Sequence, residues 1–531
     1  MNSTPVNSIA PNTHVASLDQ HAIGRGVNTA WRDALSLLTI SCAAGVALAF
    51  SHEYESLSGL AVVAIAAFLG AASVTIRPGF GFVVGFAFGL SCFATGLPWL
   101  FNLLDPREAP LAAVLLPALL IGALSVPTAV VGACIADSVR LRATRLLLVA
   151  PATWVAFDWL RHQGEVAFPW FSVGYSQVPD SPLAGYAPIG GVLLVGFVTV
   201  LVGGLIAQAA LRRDLRRRAV IAALALLVVG AGLQHVPWTA ASGTAIRVAV
   251  LQGNIGAAAK FDSSALSSTL ARYESLIRSS QADVMLLPES ALPLPAHALG
   301  GYLNALRKHA EGSGIDVVLG AFEVDADTGQ RYSSAISLGT SGTQIYRKRH
   351  LVPFGDYVPW GAALYGSVQR IPLADTARGA TDQPLPLLGS GRVAVAICYD
   401  DAFGSRMRAD SAVAGWIANL SNDSWAGSPA MQRQHGRMAQ TRALEIGRPL
   451  LRAADTGQSG LIDERGRWVD SLPFNEVGAL EAWVVPRSGR TPYAWLGDRA
   501  ALVVCLFALL AAFQLRGRAT ERRHFIAENF R

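Results

Sequence analysis

Three short stretches of this 531-residue chain carry side chains able to make and break an acyl bond. Leu286-Leu287-Pro288-Glu289-Ser290 sets a carboxylate just past an apolar run, and Val395-Ala396-Ile397-Cys398-Tyr399-Asp400 sets a thiol in the same way. Between them, Tyr346-Arg347-Lys348-Arg349-His350-Leu351-Val352-Pro353-Phe354-Gly355-Asp356 holds a lysine within a basic cluster. A cysteine attacks a carbonyl as its thiolate, so it needs a base, and Glu289 is the candidate. An ammonium near the attacked carbonyl would steady the developing oxyanion, which is the role open to Lys348.

Each residue also has a bland reading. Cys398 fits a small buried hydrophobe, Glu289 a solvated or helix-capping carboxylate, and Lys348 a surface charge. Two features weigh the other way. Cys398 is the only cysteine between residues 238 and 497, so no partner thiol is at hand there. The chain also holds only three lysines (Lys260, Lys308, Lys348) among 43 basic residues. Arginine serves as its generic cation, and a retained lysine hints at a need for a compact ammonium. Lys260 and Lys308 share that hint.

The elements that must position these groups alternate in type. Residues 246–251, 284–287, 317–322, 334–338, 344–346, 393–397 and 416–420 read as strands, and 450–462 as a return to strand. Residues 264–280, 302–311 and 431–446 read as helices, the first with Leu266, Leu270, Tyr273 and Ile277 on one face. This alternation predicts a layered α/β domain over 238–497, with Glu289 and Cys398 beyond strand ends, where sites of open sheets gather.

The rest of the chain is of another kind. Hydrophobic residues make up 52% of the sequence and charged residues 15%, against roughly a quarter charged in soluble domains. Eight runs approach the ~20 residues a bilayer span needs: 32–50, 57–75, 80–101, 110–136, 144–160, 188–210, 219–236 and 498–515. The fifth is the weakest, since it carries Asp158. Arginines cluster at 140–145, 212–218 and 516–523, whereas 52–55 and 105–108 are mixed or acidic. The positive-inside rule then places both termini in the cytoplasm. The expected organisation is a cytoplasmic tail (1–31), seven membrane helices (32–237), an extracytoplasmic domain (238–497), an eighth helix (498–515) and a second cytoplasmic tail (516–531). The net charge of +6 is thereby topogenic, and nucleic acid is not an expected partner. The five cysteines form no CxxC pair, and His350 and His435 have no partner at metal-ligand spacing. No metal or organic cofactor is expected, and the two histidines read as structural or surface residues.

Together, Pro-Glu, Tyr-x-Lys-x-His-Leu-Val-Pro-Phe-Gly and Ile-Cys-Tyr resemble the nitrilase superfamily, whose triad is Glu-Lys-Cys. With eight spans, the chain resembles the apolipoprotein N-acyltransferase branch. Supporting matches are Gln252-Gly253-Asn254, Asn422-Asp423-Ser424-Trp425, Arg442-Ala443-Leu444-Glu445, Phe168-Pro169-Trp170 and Gly174-Tyr175-Ser176-Gln177. The resemblance implies an α-β-β-α sandwich on a polytopic helical membrane domain. It implies a catalytic set of Glu289, Lys348 and Cys398, acting in a bacterial inner membrane with the catalytic domain periplasmic. Its partners would be a phospholipid acyl donor, diacylglyceryl-modified apolipoproteins as acceptors, and membrane lipids. Tyr399 would shape the pocket.

The sequence departs from the branch at four places. Asp356 and Asp400 stand where glutamate is usual, Phe261 where tryptophan is common, and Ala426, after Trp425, where a larger aromatic is common. These positions resemble acceptor- or lipid-contacting loops, so the departures bear on substrate choice. They leave room for a specialised or inactive paralogue. A membrane-tethered amidase or nitrilase of small amides would use the same triad with water as acceptor, but such a substrate needs no eight-helix platform.

Overall fold

The computed structural model describes residues 15–103, 107, 110–136, 141–260, 262–359, 375–389 and 391–529. Its membrane part contains helices α1 (Val15–Glu53), α2 (Ser58–Val74), α3 (Pro78–Gly96), α4 (Pro110–Ile135), α5 (Ala150–Arg161), α6 (Ala187–Leu211) and α7 (Arg216–Gln234). Among the described residues, seven helical segments are long and apolar enough to cross a membrane: Arg32–Glu53, Glu55–Val74, Pro78–Gly96, Pro110–Ile135, Pro182–Leu211, Arg216–Gln234 and Arg499–Gly517.

The fifth expected span is absent from that set because the stretch is broken. A three-residue helix at Arg142–Thr144 runs into a π-helical turn at Arg145–Val149 and then into α5. Its place in the fold nevertheless follows from contacts. The Gln434 side-chain oxygen accepts from Trp99, just beyond α3, at 3.1 Å and from Trp170, beyond α5, at 2.9 Å. The C-terminal ends of α3 and α5 therefore lie on the same side. The 26-residue α4, about 39 Å long at 1.5 Å per residue, leaves from that side, and the stretch ending in α5 brings the chain back.

After α7 come strands β1 (Ile246–Gln252), β2 (Val284–Leu286), β3 (Asp316–Val324), β4 (Arg331–Gly339) and β5 (Gln344–Arg347). These are followed by β6 (Gly391–Ile397), β7 (Trp416–Ser421), β8 (Leu450–Ala454), β9 (Gly460–Ile462), β10 (Trp468–Ser471) and β11 (Gly478–Val484). One sheet runs β11-β1-β2-β3-β4-β5 and the other β10-β9-β8-β7-β6. The pairs β1/β2, β2/β3, β6/β7 and β7/β8 are parallel, so the ends that carry the site residues point one way within each sheet. The expected strand at 450–462 is in fact two antiparallel strands, β8 and β9. Asp455, Thr456 and Gly457 lie in the turn between them, where the sequence offers turn formers.

Helices α8 (Leu266–Ser279) and α9 (Gly300–Ser313) cover the first sheet, and α10 (Pro429–Ile446) packs on the second. Period-two alternation assigns the faces. Val248 and Val250 join Val393, Val395 and Trp416 in a core between the sheets. Ala249 and Leu251 instead join Tyr273, Ile277, Leu306 and Ala310 beneath the helices. The order of layers is α-β-β-α, as expected. Helix α11 (Arg499–Asn529) then returns to the membrane part, packing on α5 and α6.

Candidate active site

Glu289 lies three residues past β2, on a tight turn whose next residue, Ser290, has a φ of 51°. The turn presses on Gly320 of β3. A Cβ there would come 2.4 Å from the Pro288 carbonyl oxygen and 2.5 Å from the Glu289 Cα, so only glycine fits. Lys348 follows β5, and its own N–H donates to the Ser333 carbonyl at 2.8 Å. Cys398 directly follows β6 and opens a 3-10 turn, Cys398–Ala402, with a φ of 49°. A non-glycine residue held there stores about 1–3 kcal/mol of backbone strain, which the surrounding β6–β7 pairing has to hold.

The fold brings the three expected residues together. The Lys348 Nζ stands 2.8 Å from Glu289 Oε1 and 2.9 Å from Asp356 Oδ2, with Lys348 1% exposed. The Ser333 hydroxyl also donates to Glu289 Oε1, at 3.2 Å. Burial works against the lysine's charge, but Asp356 and Glu289, joined by the nearby Cys398, outweigh it and hold the ammonium well above its ordinary pKa. The Cys398 thiol is pushed well above the usual thiol range, first by burial and then by the Glu289 charge, with Lys348 acting in the opposite direction. At rest the site therefore holds a neutral thiol beside a charged lysine.

The remaining expected site residues fall into place around these. Asp356 is the second carboxylate on Lys348, and its Oδ2 also accepts the Val352 N–H at 2.9 Å. Asp400 accepts the Ile397 N–H at 3.0 Å and the His350 N–H at 2.6 Å. Burial raises its pKa to about 6 against the pull of Arg349 and those two N–H groups. Tyr399 donates to the Ala167 carbonyl at 2.8 Å, tying the residue after Cys398 to the membrane part. Trp425 meets Trp99 edge-on at 5.9 Å. Phe261 lies outside the described residues.

Six further polar residues, none of which sequence spacing joined to the site, are buried around it. Lys260 pairs with Asp455 at 2.6 Å and donates to the carbonyl of Glu289 itself at 3.2 Å. His435 lies between Asp423, 2.7 Å from Nδ1, and Asp401, 2.9 Å from Nε2. Arg452 bonds both aspartates, at 3.0 and 2.9 Å. The scarcity of lysine was the one available signal for Lys260. His435 gave none, because its acidic partners sit 34 and 12 residues away. Cys398, Asp423 and His435 bring donor atoms within 4.8 Å of one another. With a carboxylate on each ring nitrogen, the group forms a charge network in place of a ligand set.

The site also sits on the seam with the membrane part. Gln434 donates to the Gly96 carbonyl, Arg437 to that of Ser51, and Arg433 pairs with Glu53. Glu445 accepts the Val192 N–H of α6 at 2.7 Å, where the helix is broken at Gly190–Gly191.

Comparison with known proteins covers both parts. Residues 44–205 match the apolipoprotein N-acyltransferase N-terminal domain, and residues 247–489 match the carbon-nitrogen hydrolase family. An apolipoprotein N-acyltransferase of Nitrosomonas europaea is 36% identical over 448 residues, covering 82% of this chain and 88% of the relative. That of Bordetella bronchiseptica is 34% identical over 552 residues, covering 93% and 98%. Among solved structures, Nit3 of Saccharomyces cerevisiae, a nitrilase-superfamily member, aligns at 17% identity and a TM-score of 0.35 over 46% of this chain and 93% of its own. With relatives this similar over nearly their full length, the chain belongs to the apolipoprotein N-acyltransferase family.

Proposed function

We propose that this protein carries an acyl chain from a phospholipid to the N-terminal amine of a diacylglyceryl-modified apolipoprotein, through a thioester on Cys398. The observation that carries the reading is the Glu289–Lys348 contact beside a strained cysteine whose neighbour, Tyr399, is bonded to the membrane part.

Glu289 takes the thiol proton, and the thiolate attacks the ester carbonyl. Negative charge moves to that oxygen, where the Lys348 ammonium steadies it. Once Glu289 is neutral, Asp356 still pairs with Lys348, so the lysine keeps both its charge and its place. The intermediate collapses and expels the lysophospholipid alkoxide, which recovers the proton from Glu289. The acceptor amine then attacks the thioester and gives a proton to Glu289. The thiolate leaves, is reprotonated, and an amide remains. One hard transfer becomes two easier ones. Both substrates are lipid-anchored, so a site on the seam lets acyl chains reach the thiol without leaving hydrocarbon.

The expected topology supports this arrangement. Eight crossings and the arginine-rich connections put both termini in the cytoplasm and residues 238–497 on the opposite, periplasmic face of an inner membrane. Intact-mass spectrometry of the detergent-purified protein with phospholipid is the test. Wild type should gain an acyl mass that hydroxylamine removes, and Cys398→Ala none. A wild type that gains no mass with any phospholipid, yet hydrolyses small amides, overturns the reading.

A further inference from the structure

The network around His435 can be resolved by counting hydrogens. The terminal NH2 of Arg452 nearest His435 has two. One goes to Asp423 Oδ2 at 2.9 Å and the other to Ser421 Oγ at 3.0 Å. Ser421 passes its own hydrogen to Asp423 Oδ1 at 3.1 Å. The second NH2 of Arg452 is likewise spent, on Asp401 Oδ2 at 3.0 Å and Asn419 Oδ1 at 2.5 Å. Nothing is left to donate to His435 Nδ1, although one arginine nitrogen lies 3.0 Å from it. Both imidazole nitrogens therefore face carboxylate oxygens, at 2.7 and 2.9 Å, and only a doubly protonated ring can donate to both.

The charges close as well: Asp401 and Asp423 against Arg452 and an imidazolium. The groups facing His435 from neighbouring elements are the Cys398 thiol and Asp401 on one turn, Asp423 after β7, Arg452 on β8 and the Trp170 ring at 5.5 Å. Burial disfavours the imidazolium, but Asp401 and Asp423 outweigh burial and Arg452, lifting its pKa to about 9. Asp401 stands three residues after Cys398, and Asp423 follows Asn422, whose carbonyl is 4.0 Å from the Cys398 Sγ. One ring thus joins the two turns that flank the thiol.

We propose that His435 is a positioning residue for acyl transfer: as an imidazolium it fixes the turn carrying Cys398 against the turn carrying Asn422. This rests on Cys398 being the acylated residue. The test pairs two readouts on the full-length protein in detergent. One is the single-turnover rate of acyl-thioester formation from phosphatidylethanolamine between pH 6 and 10.5. The other is the rate of Cys398 alkylation by iodoacetamide at pH 7.5.

In wild type the acylation rate should fall as pH rises through about 9, although alkali alone would favour a thiolate. His435→Gln should lower acylation at least about tenfold at pH 7.5, slow alkylation, and lose the alkaline fall, while leaving the lipid KM within about threefold. The wild-type profile needs no variant, so a rate that climbs steadily to pH 10.5 overturns the proposal even where His435→Gln fails to fold. A His435→Gln protein that retains the wild-type rate, or keeps the alkaline fall, overturns it too. If alkylation responds as expected while wild type forms no thioester, the positioning role stands and the acyl-transfer reading falls.

Discussion

Asp400 accepts the backbone N–H of His350 at 2.6 Å, although fifty residues separate them. His350 is two residues from Lys348, and Asp400 two from Cys398, so this carboxylate ties the lysine loop to the turn that carries Cys398. Asp400→Ala removes the acceptor of the buried Ile397 N–H, at about 1–3 kcal/mol, and that of the half-buried His350 N–H. Asp400→Asn sets an amide NH2 against one of them. Thioester formation should fall about tenfold or more in both. In wild type it should also fall as the pH drops through about 6, where Asp400 gains a proton that faces an N–H. A rapid-quench pH profile checks both outcomes.

Lys348→Met should abolish thioester formation, and Lys348→Arg should not restore it. The cavity between Glu289 and Asp356 fits one compact ammonium at 2.8 and 2.9 Å, and a planar guanidinium cannot take that position. Asp356→Asn should be milder, because Glu289 still faces the lysine. Mass spectrometry of quenched reactions ranks the three.

Lys260→Met strips the partner from buried Asp455, and breaking a buried pair costs about 3–5 kcal/mol. The double variant Lys260→Met/Asp455→Asn removes the stranded charge while keeping an acceptor for the Ile255 N–H and the Tyr273 hydroxyl. It should recover most of the thermal stability. Acylation should stay low, since the Glu289 carbonyl still lacks the Lys260 ammonium. Melting curves beside single-turnover rates separate the two effects.

The pH dependence of stability carries the mark of His435. Its folded-state pKa, about 9, lies above the ordinary 6.5. The stabilisation is complete below pH 6.5 and is lost as pH rises through about 9. The wild-type melting temperature should decline over that window, and that of His435→Gln should decline less.

Much of this was legible in advance. Strong apolar runs announced the spans, and the strand-end positions of Glu289 and Cys398 followed from short apolar runs. The fifth span was harder to read because its helix is broken by a π turn at Arg145–Val149, and contacts far away in sequence show where it leads. Strands β10 and β11 went unread because exposure along them is mixed and no clean alternation results. Among site residues, those in a motif with Lys348 or Cys398 could be found. Asp401, Asp423, His435 and Arg452 could not, because a charge network has no sequence period and its members meet only when β6, β7, β8 and α10 are packed.

The break in α6 has a consequence for how the molecule is made. Gly191, at a φ of 68°, starts a new half-helix whose first free amide, on Val192, is met by Glu445. That carboxylate lies 253 residues further along the chain. When α6 first leaves the ribosome its partner has not been synthesised, and it arrives only with α10, after β6 and β7 of the second sheet. Until then the membrane part is an unfinished scaffold with an open donor at its seam. Completion of the catalytic domain closes it. A chain truncated anywhere before residue 445 should therefore yield a loosened membrane bundle as well as a missing domain, and quality-control proteases would meet both defects at once.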